Sequence, residues 1–306
     1  MPEKIRSKAG NYVSPLFVFN FDQLSPDNYR DKKVFNPVNF VSVNTEKPLM
    51  RFFFVTRILV CVLLAFAFFS CNKKTEIYQT ESINDYLPLA VNKYITYRID
   101  STVFTNFGRN TEVHSYQMKF VVDAQITDNL GRPSFRVFRY IRDTAGTQPW
   151  VPVYNTSTYF ITPLTDQIEL VEDNLRFIKL HAPVTSGFSW KGNKYLTYDP
   201  YNSLYNFSND DEMQEWDFYY DTFEPSFSYR GNNYTNVYTI EEVDESLNVP
   251  ITNPNGYASK NRAVEKYSKN LGLVYREYEM WEYQPGTGSG PYKTGFGLKM
   301  WMIDHN

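Results

Sequence analysis

The longest regular pattern in the chain is an alternation of apolar and polar residues between positions 116 and 126. Lys119, Asp123 and Gln125 stand among apolar residues that recur at every second position. A period of two places successive side chains on opposite faces of a strand, so this segment predicts an antiparallel strand with one buried face. The apolar positions are Tyr116, Met118, Phe120, Val122, Ala124 and Ile126.

Shorter alternating segments follow one another along most of the chain. Turn-forming residues separate them, as in Asp128-Asn129-Leu130-Gly131-Arg132 and Asp173-Asn174. Helical signals are confined to residues 209–216, which begin with an N-cap-like Asn209, and to one turn at residues 82–87. The predicted strands span residues 94–104, 116–126, 134–141, 150–160, 167–172, 175–180, 233–243, 262–268, 273–283 and 295–304.

This pattern predicts an all-β protein of about ten strands with one or two short helices. The strands would form antiparallel curved sheets, arranged as a sandwich or as an open half-barrel. Aromatic residues make up 18% of the 306 residues. Tyrosine and phenylalanine favour half-buried strands, so core and cross-strand packing accounts for most of this surplus.

Charge and cysteine content exclude several classes of protein. The 31 basic and 34 acidic residues leave a net charge of −3, which gives no electrostatic basis for nucleic-acid binding. Two cysteines are too few for a disulfide framework.

A short basic stretch at residues 50–57 precedes twelve uninterrupted apolar residues at 58–69. This order is typical of a secretory signal peptide. A membrane-spanning helix is the alternative, but twelve residues give roughly 18 Å of helix against a hydrocarbon core of ~30 Å. We therefore interpret residues 50–70 as a signal peptide.

The cysteine that follows this apolar run determines the kind of signal. Phe68-Phe69-Ser70-Cys71 resembles the lipobox of bacterial lipoproteins, in the relaxed form of Bacteroidota-type proteins. The resemblance implies that Cys71 carries diacylglycerol and palmitate and becomes the first residue after cleavage. A buried cysteine after a core helix is the alternative, against which the polar residues from Asn72 onward argue.

Two further segments resemble the same group of exported lipoproteins. Residues 86–97 are similar to the "YxPLxxGxxWxY" segment that opens many of them, with Asn92 in place of the usual glycine. Residues 270–277 are similar to their closing "GVGLVxxE" hairpin. The resemblance implies an exported β-sheet lipoprotein and implies no activity.

The chain then divides into four parts. Residues 1–49 are interpreted as a disordered upstream extension from a misplaced start codon, with Met50 as the true initiator; the alternative is a cytoplasmic extension that stays unfolded during export. Residues 50–70 are the signal peptide, residues 71–89 are the lipidated cysteine and a tether, and residues 90–306 are a single β-rich domain. The predicted location is the outer membrane of a bacterial envelope, through the lipid anchor.

No pattern of catalytic or cofactor-binding residues stands out. The three histidines lack zinc-ligand spacing, and no nucleophile elbow or phosphate loop is present, so neither catalytic residues nor cofactors are predicted. Asp210, Asp211 and Glu212 are a weak calcium candidate that also suits a solvated helix start. The acidic residues between Glu241 and Glu245 are interpreted as a charged strand edge.

Two classes of function remain. The first is a non-catalytic envelope module that binds a glycan, a lipid or an envelope protein. Exposed aromatic rings would then be the contacts, because flat rings stack on sugar faces and apolar ligands; the candidates are Trp150, Trp190, Tyr201 and Trp216. The second is an exported, glycosidase-like hydrolase with dispersed carboxylates. A concave site that gathers acids with shifted pKa values would favour the hydrolase.

Overall fold

The structure is a computed structural model that describes residues 81–154, 157–286, 288 and 290–306. The upstream extension, the signal peptide and the lipidated Cys71 lie outside these ranges and stay predictions. Within these ranges, no helix has both the length and the apolar character needed to cross a membrane.

The described residues form thirteen strands and two very short helices, so the all-β prediction is confirmed. The helices are α1 (Ile83–Tyr86) and a single 3-10 turn (Met213–Glu215). The strands are β1 (Tyr94–Thr105), β2 (Asn110–Thr127), β3 (Pro133–Asp143), β4 (Val151–Pro152), β5 (Thr158–Pro163), β6 (Gln167–Glu172), β7 (Leu175–His181), β8 (Ser189–Trp190), β9 (Phe218–Tyr229), β10 (Asn232–Leu247), β11 (Ala258–Ser268), β12 (Gly272–Gln284) and β13 (Tyr292–His305).

All these strands belong to one antiparallel sheet that is nearly closed into a barrel. The order is β7-β6-β5-β3-β2-β1-β13-β12-β11-β10-β9-β8, with β4 paired to β3 beside this path. Strands β1 to β7 form one half of the sheet, in which β1 is central and β7 is outermost. Strands β8 to β13 form the other half, in which β8 is outermost and β13 pairs with β1 at the centre. Of the two predicted arrangements, the half-barrel is therefore the one adopted.

The outer strands β7 and β8 approach each other without forming a continuous ladder. The Ile178 amide donates to the Gly192 carbonyl at 2.8 Å, and the Trp190 indole N–H donates to the Ile178 carbonyl at 2.8 Å. The Tyr220 hydroxyl donates to the His181 carbonyl, also at 2.8 Å. These few bonds satisfy backbone groups along the outer edge of β7, and this limits the tendency of that edge to pair with strands of other chains.

The predicted alternation on β2 is present up to a bulge. Met118 and Val122 are 2% and 7% exposed, and Phe120 packs against the core from a half-buried position. The register between β2 and β3 shifts between Val122 and Ala124. A bulge adds one residue to one strand, and it bends the sheet at this point.

Three local predictions need correction. Strand β9 was not predicted, because Pro225 interrupts its sequence. Strand β8 pairs only with the first two residues of β9, so Pro225 lies in a part of β9 that forms an edge of the sheet. A proline, which has no amide hydrogen to donate, is tolerated at such an edge. The single strand predicted at 150–160 is two strands, β4 and β5. The helix predicted at 209–216 is reduced to one 3-10 turn, which Glu212 precedes in a left-handed conformation with φ of 60°.

The tether predicted for residues 71–89 overlaps the folded domain. Ser82 caps α1 by accepting a hydrogen bond from the Asn84 amide at 3.3 Å. Ile83 and Tyr86 are buried in the main core, and Leu87 and Leu89 pack against it. Residues 81–89 are therefore part of the domain, and α1 lies within the helical turn predicted at 82–87.

Candidate apolar binding cavity

A cavity lies on the inner face of the curved sheet, and we call it the inner cavity. Strands from both halves of the sheet contribute to its wall, as does the segment between α1 and β1. Its lining is mostly apolar and aromatic: Leu87, Pro88, Leu89, Tyr94, Ile95, Tyr97, Phe120, Val122, Val137, Tyr159, Ile161, Leu170, Tyr267, Leu271 and Leu273, together with the charged residues Lys93, Glu172, Lys179 and Arg276.

The space in which the centre of a water-sized group can lie inside the inner cavity has a volume of ≈ 70 Å³. One such group needs about 10–15 Å³ of this volume, so the cavity has room for about five to seven of them. The half-buried residues Leu87, Pro88, Leu89, Lys93 and Leu271 lie on its side toward solvent, whereas most of the lining from β3 to β7 is buried. We call the part formed by these five residues the opening.

The two segments that resemble exported lipoproteins contribute all five residues of the opening and further residues of the cavity lining. The first segment contributes residues from Leu87 to Tyr97, and the second contributes Leu271, Leu273 and Arg276. The Tyr97 hydroxyl donates to the Leu273 carbonyl at 2.9 Å, and the Asn270 amide donates to the Asp85 carbonyl at 2.6 Å. Two motifs far apart in sequence therefore form one end of one cavity.

Left-handed residues in both motifs make this meeting possible. Asn92 has a φ of 70° and Asn270 a φ of 65°. Asparagine tolerates this conformation better than most residues, which explains why Asn92 can replace the usual glycine. Gly272 has a φ of 111°, and a Cβ there would lie 3.4 Å from the Ile95 side chain. A Cβ at that distance would make ordinary van der Waals contact, so glycine is needed at this position for its positive φ and not for space.

Beside the inner cavity lies a group of buried ionised side chains, which we call the charge cluster: Lys179, Glu242, Glu265 and Arg276. The Lys179 ammonium lies 2.7 Å from the Glu242 carboxylate and 3.1 Å from that of Glu265. The Arg276 guanidinium lies 2.7 Å from the Glu265 carboxylate. The cluster joins β7 to β10, β11 and β12 across the interior, so it fixes how the two halves of the sheet face each other.

The two glutamates of the charge cluster have opposite pKa shifts. Burial by itself would raise the pKa of Glu265, but the charges of Arg276 and Lys179 outweigh it and lower that pKa to about 2. Burial raises the pKa of Glu242, although the charge of Lys179 opposes this. Such a divergence is also found in acid–base pairs. Here a cation already contacts both carboxylates, and the adjoining space of ≈ 20 Å³ holds one or two waters rather than a sugar.

A second buried ion pair stands at the β6–β7 hairpin. The Arg139 guanidinium pairs with the Glu172 carboxylate and lies 3.7 Å from a carboxylate oxygen of Asp173. Burial raises the pKa of Asp173 to about 7, and the charge of Glu172 adds to this. The other carboxylate oxygen of Asp173 is buried without a hydrogen-bond partner among the described residues. Ionised Asp173 is therefore unfavourable in the fold.

Replacing Asp173 with asparagine should stabilise the protein above neutral pH. Between about pH 4 and about pH 7, Asp173 is protonated in the folded protein and ionised in the unfolded chain. The contribution of Asp173 to the free energy of unfolding therefore falls as the pH rises through this range. Asparagine does not ionise and it keeps the left-handed turn, where Asp173 has a φ of 51°. Urea unfolding should show a gain on the order of 1 kcal/mol at about pH 8 and a smaller one at about pH 5. The exposed Asp166→Asn is the control, and an equal gain at both pH values would contradict this assignment.

The residues of the charge cluster were not predicted as a site. Each stands at an inward position of its strand: Lys179 follows Phe177 at a spacing of two, and Glu265 stands between Ala263 and Tyr267. A charge in phase with buried apolar residues is the signal that could have identified them. The interpretation of Glu242 as part of a charged edge is wrong, because β10 pairs with β9 and β11 and Glu242 is buried.

The four aromatic candidates do not form a common site. Trp190 and Tyr201 are 7% and 1% exposed, so the expectation of exposed rings is wrong for both. Trp216 packs partly buried against the core. The ring of half-buried Trp150 is covered by the Arg142 guanidinium, whose carbon lies 4.1 Å from its centroid. None of the four lines the inner cavity.

The calcium candidate is divided between interior and surface. Asp210 is buried, with one carboxylate oxygen accepting from the Tyr201 amide at 2.7 Å, whereas Asp211 and Glu212 are exposed. Burial raises the pKa of Asp210 to about 6. In the part of the chain that the structure describes, no three His, Cys, Asp or Glu side chains are grouped to hold a metal ion.

Comparison with known proteins adds little to this picture. No protein-family model and no curated protein matches the sequence. A protein from Bacteroides fragilis, assigned as exported and with a YmcC-like fold, aligns with a TM-score of 0.29 and 10% identity over 72% of this chain and 97% of its own. A domain from Vibrio parahaemolyticus, assigned as an outer-membrane lipoprotein-sorting protein, aligns with a TM-score of 0.17 and 12% identity over 71% of this chain and 85% of its own. At these TM-scores neither similarity supports an inference about the fold or the function of this protein.

Proposed function

We propose that this protein is a lipid-anchored module of the bacterial cell envelope that binds an apolar chain in its inner cavity. The observation that carries the proposal is the lining, in which apolar and aromatic side chains surround a space that opens between half-buried leucines. An apolar chain removed from water there gains ~0.8 kcal/mol for each buried CH₂. The membrane anchor at Cys71 remains a proposal from the sequence.

The hydrolase has less support. A glycosidase needs two carboxylates that face its substrate. In the inner cavity the carboxylate is that of Glu172, which pairs with Arg139. The carboxylates of Glu242 and Glu265 lie against the smaller space beside it and contact Lys179.

The binding proposal can be tested with 1-octanol, an uncharged chain that matches the space available. The fragment 72–306 contains every residue of the two apolar core clusters, and a cooperative thermal transition would establish that it folds. Isothermal titration calorimetry should show saturable binding. Burial of about five to seven CH₂ groups corresponds to a Kd of about 0.1–1 mM.

Filling the cavity should weaken this binding. Val122→Phe places a ring into the space beside β2, and we expect it to weaken binding about tenfold or more. Val113→Phe is the matched control, since Val113 lies on the same strand, is 60% exposed and does not line the cavity. Leu170→Phe places a ring into the cavity from β6 and serves if Val122→Phe does not fold. Absence of saturable binding to the unmodified fragment, or equal binding by the filled variants, would contradict the proposal.

A further inference from the structure

Lys93 differs from the other charged residues that line the inner cavity. Lys179 and Arg276 contact glutamates of the charge cluster, and Glu172 contacts Arg139. No hydrogen bond, ion pair or ring contact joins the Lys93 ammonium to another described residue. Among the described lining residues, the unmatched charge is therefore positive and stands at the opening.

The backbone holds Lys93 in this place. Its amide donates to the Ala90 carbonyl at 3.0 Å, and its carbonyl accepts from the Val122 amide at 2.8 Å. These bonds fix the residue between the turn at Asn92 and the start of β1. Burial lowers the pKa of Lys93, because its ammonium has exchanged part of its water for apolar neighbours without gaining an anion.

An anion at this position would restore the lost interaction. Desolvating a charge without a partner is unfavourable, and a half-buried ammonium attracts a carboxylate more strongly than one in open water does. The same residue lines a mostly apolar space with room for about five to seven water-sized groups. A ligand that satisfies both features has a hydrocarbon tail and one negative charge at its end.

We infer that the ligand of the inner cavity is an aliphatic carboxylate, with its chain in the cavity and its head paired to Lys93 at the opening. This inference rests on the proposed binding of an apolar chain and adds the chemical class of the ligand. A single carboxylate matches the single unmatched lysine.

The test compares octanoate with 1-octanol, which have chains of equal length and differ in head-group charge. Calorimetry on fragment 72–306 at neutral pH should give an affinity for octanoate about tenfold higher than for octanol, as a hydrogen-bonded charge pair provides. Lys93→Gln should reduce this ratio to about one, and Lys93→Glu should bring it below one by repulsion. Lys194→Gln removes an exposed lysine that does not line the cavity and should keep the ratio unchanged.

The possible outcomes distinguish a failure of the carboxylate assignment from a failure of the proposed binding of an apolar chain. Equal affinities of the unmodified fragment for the two ligands would overturn the carboxylate assignment while leaving chain binding intact. A tenfold preference that survives in Lys93→Gln would also overturn it, because the charge would then be recognised elsewhere. Failure of both ligands to bind would overturn the proposed function itself.

Discussion

Glu265→Gln should lower the free energy of unfolding by about 3–5 kcal/mol, since removal of one partner leaves a buried charge uncompensated. Glu265 is the carboxylate that contacts Arg276, and it also contacts Lys179. Both cations are largely buried, so water cannot replace the lost anion. Urea unfolding monitored by circular dichroism measures the loss.

Two controls distinguish a lost ion pair from general damage. Glu245→Gln removes an exposed glutamate from β10 and should change stability by no more than about 0.5 kcal/mol. The double variant Lys179→Met/Glu242→Leu removes one charge of each sign and should cost less than Glu265→Gln, because apolar replacement of a whole pair is often tolerated. A loss in Glu265→Gln no larger than that in Glu245→Gln would show that the cluster does not stabilise the fold.

The ion pair between Glu265 and Arg276 should also make the free energy of unfolding decrease at acid pH. Glu265 has a folded pKa of about 2, below its usual value of 4.5. Its stabilising contribution is thus present above about pH 4.5 and is lost as pH falls toward 2. The stability difference between the unmodified protein and Glu265→Gln should narrow over this window.

Phe120→Ala should be the second large effect, with a loss of about 2–4 kcal/mol. The Phe120 ring lies 5.1 Å from the ring of Tyr97 and 5.8 Å from that of Tyr159, measured between centroids. Alanine would remove both contacts and leave a void that joins the inner cavity. The half-buried position places the cost below that of a fully enclosed phenylalanine.

The neighbouring Lys119→Ala is the control for Phe120→Ala. Lys119 lies out of phase with the buried residues of β2, and its ammonium stands 3.5 Å from the centroid of the Tyr94 ring. Loss of this half-buried cation–π contact should cost about 0.5–1 kcal/mol. Thermal melts of both variants measure the difference, and equal losses at positions 119 and 120 would contradict the assignment of faces on β2.

The strands were predictable because the information that forms them is local. In β6 the predicted and observed bounds coincide at Gln167–Glu172, and the Asp173-Asn174 turn that follows has φ values of 51° and 63°. Two positive φ values are typical of the tight turn that matches the twist of a hairpin. Strand β9 escaped prediction because aromatic residues stand at adjacent positions and Pro225 obscures the alternation.

The candidate site was predictable only in parts. The segments at 86–97 and 270–277 were singled out by resemblance, and both line the inner cavity. Their meeting was not foreseen, since the Tyr97 hydroxyl and the Leu273 carbonyl that join them are 176 residues apart in sequence. The aromatic candidates were chosen by residue type, and residue type does not distinguish a ring in the core from one at the surface.

The sequence by itself determined the all-β class, most strand positions and the hairpin turns, because alternation and turn propensity act between residues close in the chain. Only the tertiary structure decided that one sheet curves until β7 faces β10 and β11. That closure brings Lys179 to Glu242 and Glu265, and it encloses the apolar space beneath Lys93. Burial, pairing of charges and cavity shape depend on residues that are distant in sequence, so no local pattern specifies them.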